Sequence, residues 1–352
     1  MKNLLFVCVL LTSSNYLFSQ ITSSSKLIEK GIHLHKQGKY HEALSYYDIA
    51  LNQNPKNFQA LAEKALTMSD LGKYSEAVRL CKKAYKAEAQ NPYMKSVFIT
   101  WGNSLDEMGK QKQALDIYNE GISKFSDAPQ LHLNKGITLT RLGRYYPALI
   151  CLEKTIELDP YQASAHNLIG RLHFQEHPIQ SLLAFSRFLL IEFQGARAEE
   201  NLQLVLSIFK KNAASSDGIS SKTNTSIPEK MIKEIENSEC RKNNFTKIEK
   251  QLSLLSNFDV NDEYKNMDVY NQFATKLDHL LEKMAESKMD RKDFYWKYYV
   301  PYFIEMKEKG FLDLFSHLIF LPEKDPVNIK WLAENEKILD TFYEWDKSYK
   351  WN

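Results

Sequence analysis

Apolar positions along the first 200 residues recur with helical periodicity in short runs, and the runs come in pairs separated by glycine-bearing breaks. The stretch from Leu131 to Pro160, LHLNKGITLTRLGRYYPALICLEKTIELDP, shows the unit: two amphipathic helices joined by a tight turn at Gly143. Aligned on the alanine of the second helix, the unit returns at Ala43, Ala77, Ala114 and Ala148, at intervals of 34, 37 and 34 residues. One further step of 34 reaches Leu182. The extra residues fall at Gln90-Asn91-Pro92, where a loop absorbs them. A hairpin this short cannot bury its apolar face alone, so the pattern predicts hairpins stacked into one array.

The small residues fall in the same register. Gly31, Ala65, Gly102, Gly136 and Gly170 share a first-helix position, where a larger side chain would push neighbouring helices apart. Gly38, Gly72, Gly109 and Gly143 share the turn, which suits the left-handed residue that often ends a helix; His177 replaces glycine in the last copy. Leu34, Met68, Leu105 and Leu139 repeat near the first helix's end, and Pro55 and Pro160 close their units.

The string Gly-x-Tyr-x-x-Ala, an apolar residue four positions on, and then Asn-Pro or Asp-Pro resembles the tetratricopeptide repeat family. The resemblance covers residues 24–197 in five copies, at 24–57, 58–91, 95–128, 129–162 and 163–196. The fifth copy is degenerate, with Leu182 for alanine and Ser186 for an apolar residue. The resemblance implies an all-α fold, a right-handed helix-turn-helix solenoid whose first helices line a concave groove for peptides or partner proteins. No cofactor is implied.

Beyond the array, residues 198–211 predict an amphipathic capping helix, with Leu202, Val205, Ile208 and Phe209 on one stripe. Asn212 to Pro228 is rich in Ser, Thr, Asn and Gly and reads as a flexible linker. Residues 229–352 then predict a separate compact helical domain. Val269, Phe273, Leu277, Leu280 or Leu281, and Met284 form one stripe, and Phe311, Leu314, Phe315, Leu318 and Ile319 a second. A last helix follows the Asp325-Pro326 start and carries Trp331, Leu332, Leu339, Phe342 and Trp345, with breaks expected at Pro301, Gly310 and Pro322. The run from Phe294 to Phe303 places aromatics on two helical faces, more than one core stripe requires, and is expected to be buried on several sides, the alternative being a face that binds a peptide, glycan or partner.

Composition adds limits. With 43% hydrophobic and 26% charged residues, the 352-residue chain is ordinary for a folded protein, and a formal net charge of +2 lacks the basic footprint of a dedicated nucleic-acid binder. Met1-Lys2, the apolar run from Leu4 to Leu11 and a small residue before Gln20 resemble a bacterial secretory leader, residues 1–19. That run is shorter than the roughly 20 apolar residues of a membrane span. The expected destination is the periplasm or the outside. Removing the leader leaves Cys81, Cys151 and Cys240, which form no disulfide framework or zinc motif. Cys81 and Cys151 lie in apolar contexts and are expected to pack as small hydrophobes.

Candidate chemistry is sparse. His173-Phe174-Gln175-Glu176-His177 matches the H-x-x-E-H spelling of a metallopeptidase family, with histidines at i and i+4. Repeat phasing already explains both: His173 takes the position of Leu34 and Leu139, and His177 that of the turn glycine. No metal site is expected. His33, His35 and His41 read as surface residues, and Glu286, Asp290 and Asp293 as a solvated face rather than a glycosidase pair. By family register the groove lining includes Asn103, Asp106, Asn134, Arg141, Asn167 and Arg171. Asn103 and Asn134 match the two asparagine positions of the family's carboxylate clamp, but Ile99, Ser164 and Leu168 stand where its basic residues belong. The expectation is an exported, non-enzymatic scaffold that binds a peptide or protein. The alternative is a hydrolase with its active site in residues 229–352 and the array as substrate arm.

Overall fold

The computed structural model describes residues 24–213, 245–255, 262–287 and 293–351, all helix, turn or irregular chain without a strand. The expected leader, most of the expected linker, Cys240 and Asp290 lie outside these residues. The described chain falls into two compact units, divided between Thr138 and Leu139.

In the first unit, helix α1 (24–36) pairs with α2 (Tyr40–Gln53), α3 (Phe58–Asp70) with α4 (Tyr74–Ala87), and α5 (Met94–Glu107) with α6 (Gln111–Lys124). Helix α7 (Pro129–Arg141) contains the division point. The pairing has the predicted phase, and Ala43, Ala77 and Ala114 are fully buried. The turn glycines end their helices by a shared mechanism. Gly38, Gly72 and Gly109 have φ of 75°, 71° and 73°. Each N–H bonds the carbonyl three residues back, and the next N–H bonds the carbonyl five back, as in Lys39 N to Leu34 O at 3.0 Å. This double closure satisfies carbonyls the helix end would otherwise strand.

The first-helix glycines make room for a ring. A methyl group at Gly31 would collide with Tyr47, one at Gly102 with Tyr118, and one at Gly170 would lie 2.5 Å from Phe185 Cε1. The second copy solves the same packing differently, with Ala65 in the glycine position and Cys81 in the ring position. Cys81 is fully buried, and burial pushes its thiol up to about 12. Cys151 is likewise buried.

The second unit holds α8 (Tyr145–Leu158), α9 (Ala163–His173), α10 (Pro178–Ile191) and α11 (Ala196–Ala213). It continues with α12 (Thr246–Leu254), a one-turn α13 (Asp262–Lys265), α14 (Val269–Glu286) and α15 (Phe294–Glu308). It closes with α16 (Leu312–Ile319), α17 (Pro326–Glu334) and α18 (Glu336–Ser348). Helix α10 is its hub: it packs against α9, α11, α12, α15 and α16, and is buried from Ile179 to Leu189. A helix that is apolar all round is a covered helix. That covering explains why the fifth copy departs from the repeat pattern. It also places the C-terminal helices and the last repeats in one compact unit rather than on either side of the expected linker. Helix α11 extends into that linker's first two residues, Asn212 and Ala213.

Three local expectations change. Pro301 sits inside α15 and does not break it. The carbonyl that proline deprives belongs to Lys297, an exposed residue where water can take over the bond. The expected last helix is two, because Asn335 leaves helical geometry and turns its side chain onto Trp331 O at 2.8 Å. The turn before α10 has no left-handed residue, since His177 has φ −133° and bonds His173 O from its N–H at 2.8 Å. Histidine therefore fits where glycine stands in the other copies.

Candidate functional site

In the first unit, Asn103 and Asn134 join a ladder across successive first helices. Gln130 Nε2 donates to Asn134 Oδ1, and Asn134 Nδ2 donates to Asn103 Oδ1, each at 2.7 Å. Tyr118 OH donates to the same Asn103 oxygen at 2.7 Å. Two donors on one oxygen fix which way the Asn103 amide points, so its nitrogen remains the group that can donate outward. Asn134 is buried and Asn103 half-buried. Asp106 is also buried, one turn further along α5. Ile99, at a clamp position the family fills with a base, is half-buried. In the first repeat, His35 Nδ1 lies 2.8 Å from Thr67 Oγ1, which links the first two repeats, and His35 is half-buried rather than a surface residue.

The remaining candidates lie in the second unit. Arg171 Nε donates to Asn167 Oδ1 at 3.0 Å, and its Nη2 lies 2.6 Å from Glu200 of α11. The Arg171 guanidinium holds the Glu200 carboxyl below the usual range. Asn167 is buried, and Arg141 is exposed at the end of α7. Arg171 is therefore already matched by an internal carboxylate.

The H-x-x-E-H histidines have other work. His173 Nε2 lies 2.6 Å from Tyr295 OH, and among the described residues no group of three or more His, Cys, Asp or Glu could hold a metal ion. His166, one register step from His132, bonds at both nitrogens. Its Nε2 lies 3.0 Å from Pro160 O, a pure acceptor, so Nε2 carries the proton and Nδ1 accepts from Tyr299 OH at 2.7 Å. Burial first, and then the Arg187 charge, lower its pKa to about 3. Asp293 caps α15, accepting from Tyr295 N at 2.8 Å. Glu286 pairs with Lys283 at 2.8 Å.

The tyrosines come from the aromatic run. Tyr295, Trp296, Tyr298, Tyr299, Tyr302 and Phe303 are all buried, so the run is core on several faces. Their hydroxyls are met by polar atoms of the last repeats, including Tyr298 OH to Ile156 O at 2.9 Å.

The most concentrated polar cluster was not anticipated. Arg187 of α10 has 0% exposure and pairs with Asp346 at 2.6 Å. Tyr302 OH donates to the same carboxylate at 2.7 Å, and Tyr161 OH donates to Asp346 O at 2.7 Å. The guanidinium lies 4.8–5.0 Å from the ring centres of Tyr161, Tyr302 and Trp351. An arginine within LLAFSRFLLI was the available signal, because a charge among apolar neighbours on every side must be paired.

The recurring hairpins with glycine-closed turns define a helical repeat protein. Profiles of the tetratricopeptide repeat match residues 34–97 and 129–162, and these segments are tetratricopeptide repeats. Among curated relatives, the probable UDP-N-acetylglucosamine–peptide N-acetylglucosaminyltransferase SPINDLY of Hordeum vulgare is 29% identical over 132 residues, 36% of this chain and 14% of that protein. Hsp70-Hsp90 organizing protein 1 of Glycine max is 33% identical over 94 residues, 27% of this chain and 16% of that protein. The chain thus spans less than a fifth of either relative. Among solved structures, pilF of Pseudomonas aeruginosa aligns with a TM-score of 0.45 at 17% identity, over 57% of this chain and 95% of that one. YrrB, described as a TPR protein with an unusual peptide-binding site, aligns at 0.40 and 21%, over 52% and 90%. No described helix is long and apolar enough to cross a membrane.

Proposed function

We propose that the chain is a protein-interaction scaffold whose first unit binds an extended peptide segment of a partner protein along its first helices. Tetratricopeptide repeats mediate protein–protein interaction, and one observation carries the finer reading. The Asn103 amide is held by two donors on its oxygen, Tyr118 OH and Asn134 Nδ2, which prepares its nitrogen to meet a peptide carbonyl. A donor fixed before binding loses little entropy when the ligand arrives. Ile99 leaves a basic clamp position of the first unit uncharged, so recognition rests on backbone and neutral side chains rather than on a terminal carboxylate.

The test is a peptide array probed with the purified protein, each sequence present with a free and an amidated C-terminus. Asn103→Ala should weaken selected peptides by about tenfold, the upper range for one hydrogen bond, without changing the helical circular dichroism. Amidation should leave binding unchanged. Binding that is indifferent to Asn103→Ala rejects the site. Export is part of the proposal, from the leader at residues 1–19, and sequencing the N-terminus of the secreted protein should find Gln20 first.

A further inference from the structure

Helix α18 is attached to the second unit in an unusual way. Of its 13 residues only Phe342, Trp345 and Asp346 are buried, and it starts from Asn335 without a side-chain cap. Its hold is concentrated at one end. Asp346 takes the Arg187 and Tyr302 bonds described above, and Trp345 Nε1 donates to Glu305 Oε1 at 2.8 Å. Just beyond the helix, Trp351 stacks on Tyr298 at 4.6 Å and on Tyr302 at 4.7 Å, and Tyr349 meets Tyr302 edge-on. Tryptophan, tyrosine and arginine concentrated around one desolvated ion pair is the anatomy of a binding hot spot.

The surface beneath is built without α18. Helix α15 is fastened to the repeats by Tyr299 on His166, Tyr295 on His173 and Tyr298 on Ile156 O, and Arg187 is positioned by the packing of α10. The receiving side thus has contacts of its own that do not involve α18, while the rest of α18 is held by Phe342 and Trp345 against Phe311 at 5.5 and 5.6 Å.

We propose that Arg187, Tyr161, Tyr298 and Tyr302 form a docking site for an aromatic–aspartate helix, filled here by the chain's own residues 336–351, and that a second copy of the chain can supply the same segment in exchange. The charge of Asp346 is the recognition element: among the described residues it is the carboxylate that pairs with the buried guanidinium. The rings of Trp345, Tyr349 and Trp351 provide the shape.

The experiment uses the full-length protein and a fluorescein-labelled peptide of residues 336–351. In the wild type the internal segment competes, which reduces apparent affinity by the fraction of sites open. Asp346→Asn in the protein loosens the internal segment and leaves the docking residues intact, so peptide affinity should rise by about tenfold or more. The peptide carrying its own Asp346→Asn change should fail to bind that variant. Arg187→Met in the protein should also abolish capture, with helical circular dichroism reporting whether it folds. Hydrogen exchange of the unmodified protein supplies an independent reading, in which amides of 336–348 should exchange faster than those of α15. Failure of the Asp346→Asn protein to capture the peptide, or exchange of α18 and α15 at one common rate, overturns the proposal.

Discussion

At the scale of single residues, the first-helix glycines and their rings behave as matched pairs. Gly102→Ala places a methyl group inside the Tyr118 ring and should cost about 1–3 kcal/mol, the usual penalty for overpacking. Gly109→Ala meets no atom within 4 Å but must hold φ near 73°, which should cost about 1 kcal/mol. Urea denaturation of the two variants separates a packing cost from a backbone one. His166 makes a second prediction. Its folded pKa of about 3 lies below the ordinary 6.5, so the native state refuses a proton that the unfolded chain accepts. Its contribution is complete above pH 6.5, declines as pH falls, and is exhausted once pH passes about 3. Between pH 6.5 and 5 the loss should be about 2 kcal/mol. His166→Gln should flatten that part of the stability profile, measured by thermal unfolding across the same range.

Individual elements show where a pattern of residue types is enough and where it is not. The repeat helices were legible because each carries its period, its small residue and its terminating glycine within about 34 residues. The break at Asn335 was not, because Trp331, Leu332, Leu339, Phe342 and Trp345 keep a helical stripe across it; the interruption comes from one side chain bonding backward. Pro301 misleads in the other direction. A proline interior to a helix costs about 3 kcal/mol, and α15 tolerates it because its buried rings hold the helix from several sides. Pro301→Ala restores an N–H for the Lys297 carbonyl and should raise the stability of the second unit, by about 1 kcal/mol or more, read as a shift in its denaturation midpoint. The candidate asparagines could be located by register, but their mutual hydrogen bonds could not, since these depend on the spacing between successive hairpins.

At the scale of the molecule, the compositional boundary and the packing boundary differ. The polar stretch at 212–228 marks a change in sequence style, yet His166, His173 and Arg187 are buried against residues that follow it. A chain ended after Lys211 should retain the helix content of residues 24–138 and lose cooperative unfolding from the fifth hairpin, which would expose an arginine built for the interior. Differential scanning calorimetry of the truncated and full-length proteins checks this; one undisturbed transition for the fifth hairpin would contradict it. Polar residues at otherwise apolar register positions were the trace of this arrangement in the sequence, though nothing in them identified the tyrosines they meet. The hub role of α10 also bears on how such a chain can change its length. The first three hairpins share one register, with Ala43, Ala77 and Ala114 all buried, which is the pattern that duplication of a unit requires. Helix α10 has given up that interchangeability, because its surfaces are committed to α15 and α16. A hairpin added directly after α10 would meet surfaces already covered, whereas one inserted among the first three would meet a register that repeats.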